Sequence, residues 1–451
     1  MLASGAPHHR RDRERERGIG TGRVNVKVNA PPAVHQLIAT LEGEDFETWA
    51  VGGAIRDALL GEPGGDGDWD LATRATPRHI QRLFRRSVRL GIRYGTVGVF
   101  GPDDILYEVT TFRHDVITYG RKAVVAFATS LEEDLARRDF TVNAIAWHPE
   151  RELFDPYGGA EDLEHRLLRT VGDPAERFRE DYLRVLRGLR FAGTFEMEIH
   201  PDTWKGMVDA VPGLARLSME RVREELLRVL ASAVPSRALE LYERCGARAL
   251  ILPELQQGIG PSALATIDAV RGRRTKESRS VAAEVRLAVL LLFGAGLEAD
   301  PTMVADTLTR LRFSKSETER VQAAISGGLG PGAGLLNDPV ARRRWHASLG
   351  RWRAHDVLRI WFAALRAGTS PAGRAEVFRL IAQARSDLRN GVPMSLADLA
   401  VAGRDLLEKG WAPGPEIGRT LGRLLEAVWR DPGLNDRAAL LELAAEEGPV
   451  R

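Results

Sequence analysis

Two aspartates one residue apart, Asp68 and Asp70 in GDWDLAT, are the side chains of this sequence best suited to chemistry. On a β-strand, residues i and i+2 project from one face, so both carboxylates would share a small volume while Trp69 and Leu71 point the other way. Like charges held that close raise each other's proton affinity unless a cation lies between them. Hard divalent ions such as Mg²⁺ favour carboxylate oxygens together with substrate phosphates, and the pair reads as a metal bracket. The surrounding PGGDGDWD, which includes Asp66, reads also as a turn rich in Asp and Gly that faces water. A third acid, Glu108 in LYEVTTFR, alternates with Tyr107 and Val109 on an expected neighbouring strand, where it either joins the site or faces solvent at a sheet edge. VGGAIRDALLG, from Val51 to Gly61, puts Gly52 and Gly53 where a strand-like ETWA turns into a helix. Backbone N–H groups at such a turn can face a phosphate, although a tight turn wants glycine for steric reasons as well.

These residues need elements to hold them. From Pro31 to about Val171 helix-like and strand-like stretches alternate: PAVHQLIATLEG, ETWAVGG, DGDWDLAT, GTVGVF, LYEVTTFR and NAIAWHP. The pattern predicts a mixed α/β domain. After Asp173 the 3.6-residue period of ERFREDYLRVLRGLRFAG and MERVREELLRVLAS predicts an all-α remainder, and the whole an α+β chain. GGLGPGAG, from Gly327, predicts a linker that divides the helical part. Met1 to about Lys27 carries almost no apolar side chain and predicts a disordered basic tail.

The chain has 451 residues, which suggests about three domains. Its 64 Lys and Arg against 62 Asp and Glu leave a net charge of +2, so binding partners must be read from local fields. A single cysteine, Cys245, excludes an internal disulfide framework and a thiolate zinc cluster and fits a reducing cytosol. It is expected to pack as a small apolar group before the turn at Gly246. No apolar run approaches the ~18 residues of a membrane span, so the sequence reads as soluble, unexported and cytoplasmic.

In order along the chain, GGAIRDALLG, GDWDLAT, YEVTTFR, LEEDLARRDFTVNAIA, FDPYGGAEDL, LRTVGDPAERFREDYLRVLRGLRFA and SMERVREELLRVL resemble the signature blocks of class II tRNA nucleotidyltransferases and bacterial poly(A) polymerases. Near the carboxyl end, MSLADLAVAGRDLLEKGWAPGPEIGRTLGRLLEAV looks like the tail of bacterial CCA-adding enzymes, so the resemblance covers nearly everything after the basic tail. Beyond the disordered basic tail, 1–28, it implies a polymerase-β-like nucleotidyltransferase head over 29–172, a helical neck that recognises the base over 173–235, a helical body over 236–330 and a tRNA-binding helical tail over 331–451. The implied activity is template-independent addition of CCA to tRNA 3′ ends from CTP and ATP, by two-metal nucleotidyl transfer with Mg²⁺ and release of pyrophosphate. By motif position, Gly52, Gly53 and Arg56 would hold the triphosphate, and Asp68 and Asp70 the metals with Glu108 as a third acid. Arg138 would contact nucleotide phosphates and Asp139 the ribose, while EDYLR, Glu180 to Arg184, would choose the base, with Arg187 and Arg190 further along the same helix.

A hydrogen-bond inventory explains how such a pair could choose. Cytosine and adenine present an amine donor beside a ring-nitrogen acceptor, and uracil and guanine present the opposite polarity. Asp181 accepts only and Arg184 donates only, so together they complement C and A. The same spacing also describes a surface ion-pair row on an amphipathic helix. RHDVITYGRKAVVAF, filling 113–127, corresponds to the family's loop for switching from C to A, but it is shorter and lacks the usual acid and proline near Arg121. Addition of CC or A alone and poly(A) synthesis therefore stand as alternatives, and a non-catalytic RNA-binding scaffold as a different class, disfavoured because DxD, RRDFT and EDxxR are all intact. Trp345, Trp352, Trp361, Trp411 and Trp429, with Arg342, Arg343, Arg344, Arg351 and Arg353, fit either an RNA-backbone surface or a helical core with a charged outer face. His355 and Asp356 lack the spaced partners of a phosphohydrolase, and RLAVLLLFGAG has no His-Asp, so no such activity is expected.

Overall fold

The computed structural model describes residues 28–61, 69–119, 122–128, 130–271, 276–294 and 301–447. The expected basic tail, but for its last residue, and both Asp66 and Asp68 lie outside these residues. The chain divides into two units: Met1–Arg113 with Phe127–Leu135 and Val142–Glu164, and His114–Ala126 with Ala136–Thr141 and His165–Arg451.

In the first unit the elements run α1 (Pro32–Glu42), β1 (Thr48–Val51), α2 (Gly53–Leu59), β2 (Asp70–Thr73), α3 (Pro77–Leu83), β3 (Ser87–Gly91), β4 (Thr96–Phe100) and β5 (Leu106–Thr111). After β6 (Arg113–Tyr119), β7 (Lys122–Phe127) and α4 (Leu131–Ala136), the unit closes with β8 (Ala146–His148), β9 (Glu152–Phe154) and α5 (Gly159–Glu164). Seven strands form one mixed sheet in the order β3-β4-β5-β2-β1-β8-β9, with β2 and β5 parallel and the other pairs antiparallel. Alternation sorts its residues. Ala50, Leu71, Val97, Val99, Tyr107 and Val109 are fully buried, with α1 against β1 and α3 against β4 and β5. Asp70 and Glu108 alternate with them and are exposed, so this part of the sheet is half-covered and keeps one face open. Strand β2 starts at Asp70, so an extended stretch upstream of it is not part of what the structure describes. Strand β3 goes unanticipated because it is only five residues long, SVRLG, and follows directly on Arg85 and Arg86. The 113–127 stretch, expected as a loop, forms a two-stranded hairpin of β6 and β7.

The second unit is helical apart from that hairpin and a short parallel pair, β10 (Leu167–Leu168) and β11 (Glu198–Ile199). Its leading helices are α6 (Pro174–Glu180), α7 (Leu183–Phe195), α8 (Pro201–Ala210), α9 (Met219–Ala231) and α10 (Pro235–Arg244). The run ERFREDYLRVLRGLRFAG is not one helix: it breaks at Asp181, whose backbone is extended at φ −151° and ψ 105°. Pro174 starts α6 and Asp173 caps it by accepting from Glu176 N at 2.9 Å, while Asp181 ends α6 and its Oδ1 accepts from Leu183 N, the first residue of α7, at 3.1 Å. Helices α7 and α10 meet at Gly193, where a Cβ would lie 2.5 Å from Ala238 N and 2.6 Å from its Cα. Backbone cannot yield as a flexible side chain does, so Gly193→Ala should lower stability by about 2 kcal/mol, read as an earlier urea midpoint at unchanged slope.

Further along, Arg286 lies buried on helix Lys276–Gly294 and donates to the carbonyls of Leu230 (2.6 Å), Ser232 (2.8 Å), Val270 (3.0 Å) and Ile267 (3.2 Å). These carbonyls close α9 and helix Pro261–Ala269, so one guanidinium satisfies two helix ends that would otherwise be orphaned in the core. The glycine-rich stretch from Gly327 is packed at its start, while Gly332 and Gly334 are exposed with nothing within 4 Å of a Cβ there. A Cβ at Gly327 would lie 2.2 Å from Val357 Cγ1, and its carbonyl accepts from Trp361 Nε1 at 2.7 Å. Tryptophans of this region fill cores: Trp345 stacks on the buried Trp361 with ring centroids 5.3 Å apart, and Trp411 and Trp429 join Leu424 and Val428. Arg342 and Arg343 converge on Asp387 at 3.2 and 2.7 Å, Arg353 pairs with Glu319, and Asp356 pairs with Arg359. Trp352 and Arg351 have side chains outside the description. Cys245 is buried, with Gly246 following at φ +84°. No helix among the described residues is long and apolar enough to cross a membrane.

One titration follows from this packing. Burial pushes the His346 imidazole below its usual 6.5, with Asp387 opposing, and Nδ1 is buried without a partner among the described residues. The unfolded chain therefore takes up this proton first, so stability is lost as pH falls from 6.5 toward the folded value and levels off below it. His346→Gln is expected to flatten the decline of the urea midpoint between about pH 7 and pH 5.

Candidate active site

In the first unit, Asp70 pairs in register with Val51 on one side and with Glu108 on the other. Registered neighbours project from the same face of strands ~4.8 Å apart, so the Asp70 and Glu108 carboxylates stand side by side on the open face. Immediately beyond Val51, Gly52 takes φ +83° and ψ −140°, a conformation a side chain would strain, and α2 begins at Gly53. A Cβ at Gly53 would meet Arg56 Nη2 at 3.4 Å. The Arg56 guanidinium is buried and fixed: Nη1 donates to Asn143 Oδ1 at 2.8 Å, and Nε and Nη2 donate to Asp57 Oδ1 at 2.8 and 2.6 Å. Hard oxygen donors in register fit a divalent cation. Among the described residues the donors number two, and no cluster of three or more metal-binding side chains occurs, because Asp68 lies outside them.

The second unit holds the other expected residues. Arg138 is half-buried on the stretch with Arg137 and Asp139. Asp139 is buried: its Oδ1 accepts from Phe140 N at 3.0 Å and its Oδ2 from Arg187 Nε at 2.8 Å. Arg184, Arg187 and Arg190 follow at three-residue spacing on α7. Arg190 Nε donates to Glu225 Oε2 at 2.7 Å and Arg228 Nη1 to Glu225 Oε1 at 2.8 Å, with Arg187 Nη1 4.0 Å from the latter. Burial opposes the Arg187 charge, but Asp139 and Glu225 more than offset it and raise the pKa. For Arg190 burial dominates over Glu225 and lowers it.

Asp181 and Arg184 do not pair with each other, and Asp181 precedes α7 instead of sharing it. Both Asp181 oxygens accept from Arg221, at 2.6 and 3.1 Å. Arg184 donates to Glu180 and to the carbonyls of Arg177 (2.9 Å) and Arg137 (3.2 Å). Each group is thus aimed by its own set of partners. Sequence reasoning assigns no role to Asn143, Arg221 or Glu225. Glu225 has a signal: it interrupts the apolar stripe of Val222, Leu226 and Val229 on α9, and an acid there needs a buried cation.

An open-faced sheet carrying paired carboxylates beside a glycine turn, followed by a helical chain, defines a nucleotidyltransferase head of the poly(A) polymerase type. Residues 48–169 match the family described as "Poly A polymerase head domain", and 196–259 match "Probable RNA and SrmB- binding site of polymerase A". The chain is 32% identical over 412 residues to the CCA-adding enzyme of Levilactobacillus brevis, across 90% of this chain and 95% of that one. It is 44% identical over 203 residues to that of Streptococcus suis, where the match covers 44% of this chain and spans about half the relative's length, 49%. A crystal structure of the Bacillus stearothermophilus CCA-adding enzyme in complex with CTP superposes with a TM-score of 0.74 at 31% identity, covering 93% of this chain and 99% of that one. The chain belongs to the family of CCA-adding enzymes.

Proposed function

We propose that this protein adds CCA to the 3′ ends of tRNA without a template, using CTP and ATP and releasing pyrophosphate. The observation that carries the reading is the register of Asp70 with Glu108 beside the Gly52 turn. Asp70 and Glu108, with Asp68, would hold Mg²⁺, which when bound supplies Lewis acidity to the attacking 3′ hydroxyl and to the leaving oxygen. The chain's own residues do the positioning: Gly52 and Gly53 offer backbone to the triphosphate, Arg56 and Arg138 offset its charge, and Asp139 meets the ribose. Asp181 and Arg184 read the pairing edge of the base, with Arg187 and Arg190 behind them on α7. In this reading 29–172 is the catalytic head, 173–235 the base-reading neck, 236–330 the body and 331–451 the tRNA-binding tail, acting in the cytoplasm. A single buried cysteine supports the last point.

The match of the head to poly A polymerase favours one second reading, synthesis of poly(A). Incorporation of each nucleotide into a tRNA transcript lacking CCA tests both. CTP and ATP but neither UTP nor GTP should be used, and product length should stop at three added residues. Unlimited A addition to unrelated RNA would transfer the assignment to a poly(A) polymerase.

A further inference from the structure

The open face of the first unit's sheet continues past the carboxylates. Glu108 is paired with Gly98 on β4, and Gly98 with Val88 on β3, so one row runs from Asp70 to the outer edge of the sheet. A Cβ at Gly98 would lie 2.8 Å from Val88 Cγ2, 2.9 Å from Leu90 Cδ1 and 3.0 Å from Leu106 Cδ1. Those three apolar side chains therefore close over the glycine and make a floor directly beside Glu108. Val88 is 37% exposed and Leu90 48%, although nothing in a fold obliges an edge strand to show water two neighbouring aliphatic side chains. Both signs border the floor, with Glu108 beside it and Asp104 at its margin, but the chain leading to it is basic: from Leu71 to Pro102 the sequence contains seven arginines and neither Asp nor Glu. Arg86 stands over the Phe100 ring at 5.4 Å and pairs with Asp104 at 2.7 Å, with both side chains exposed. Arg89 is exposed on the reverse side of the same edge strand, and no ion pair joins it among the described residues.

We propose that this edge is a track for the 3′-terminal strand of the RNA, with bases and riboses on the floor of Val88, Leu90 and Leu106 and phosphates against Arg86 on the floor side and, where the strand rounds the sheet edge, against Arg89 on the reverse side. The inference rests on the reading that a 3′ hydroxyl must arrive at Asp70. Three strand spacings of ~4.8 Å put Val88 about 14 Å from Asp70, within reach of the last few nucleotides of a single strand whose 3′ end lies at Asp70. An apolar surface rimmed by arginine suits a single strand, which offers flat bases and a charged backbone together. A second copy of this chain would bring its own arginines to the same edge, and like charges directly opposite oppose such pairing. The exposed pair of Arg86 with Asp104 holds the guanidinium only weakly, so a phosphate can replace the carboxylate.

The test is direct binding of a tRNA transcript lacking CCA to the full chain, without nucleotide, across a salt series. Arg86→Gln/Arg89→Gln should raise the RNA Kd about tenfold and make the plot of log Kd against log salt shallower by ~0.7 for each phosphate that arginine no longer neutralises. Leu90→Asn should raise the RNA KM while the KM for CTP stays put. Asp104→Asn, placed where asparagine tolerates the φ of +63°, should act in the opposite direction and tighten RNA binding about twofold, which general damage to the fold cannot imitate. RNA affinity and salt slope unchanged in the double variant would overturn the track, as would weaker binding of an acidic polypeptide with RNA binding intact. Should the wild-type chain add no nucleotide while the double variant still loses RNA, the proposed activity fails and the track stands. Should it add CCA while the double variant binds RNA normally, the track alone fails.

Discussion

Asp70→Ala is expected to lower nucleotide incorporation by on the order of 10³-fold while leaving the unfolding transition where it was. The asymmetry comes from the placement of the residue. Asp70 is the exposed first residue of β2, and the three that follow, Leu71, Ala72 and Thr73, are buried and hold the strand in register between β1 and β5. In the proposed reading, removing the carboxylate takes away a metal ligand while the buried residues that hold the strand stay in place. Asp70→Asn keeps the volume and removes only the charge, so it should fail nearly as completely. Glu108→Gln separates a ligand from a bystander: a loss of about 10²-fold places Glu108 in the metal set, and full activity removes it. The check is steady-state incorporation of CTP beside a thermal melt of each variant.

The second large effect is on nucleotide choice. Arg184→Ala should reduce kcat/KM for CTP and for ATP together by about 30-fold, the worth of one good polar pair to a base edge, and leave the slow use of UTP nearly unchanged. Selectivity then collapses from the favoured side. Asp181→Ala should do likewise, and Arg221→Met should reproduce part of it, because Arg221 holds both Asp181 oxygens and Leu183 N holds one of them from below. Arg221 touches no base in this account and acts as a positioning residue, so its variant should raise KM for both nucleotides more than it lowers kcat. Competition of CTP against UTP over one tRNA transcript reads the ratio. Equal losses for all four nucleotides would mean that Asp181 and Arg184 serve the fold of the α6–α7 junction and not the base.

How much of this is legible in the sequence depends on the range of the forces involved. Alternation around Asp70 and Glu108 reports a half-buried sheet, since period two is imposed locally by the strand itself. The register that sets those two acids side by side is not local: it comes from β5 entering next to β2, across a separation of more than thirty residues. The break at Asp181 is equally hidden. Apolar periodicity runs straight through REDYLR, and only the competition of the Asp181 side chain for Leu183 N ends one helix and starts the next. Glycines from 327 read as a linker by composition, while Val357 and Trp361, thirty residues later, turn the first of them into a packing contact. Nothing in the sequence places Arg89 near the carboxylates; it takes the pairing of β3 with β4, and of β4 with β5, to show that its strand borders the sheet that carries them.

The most direct measurement uses three tRNA transcripts, ending before CCA, after its first C and after CC, each incubated with Mg²⁺ and with CTP and ATP singly and together, and resolved at single-nucleotide length. Two additions from CTP are expected on the first transcript, one on the second, one from ATP on the third, and a stop at CCA on all three, with Asp70→Ala inert throughout. No metal-dependent extension of any transcript would contradict the proposed activity. So would extension in which Asp70→Ala is as active as the wild type.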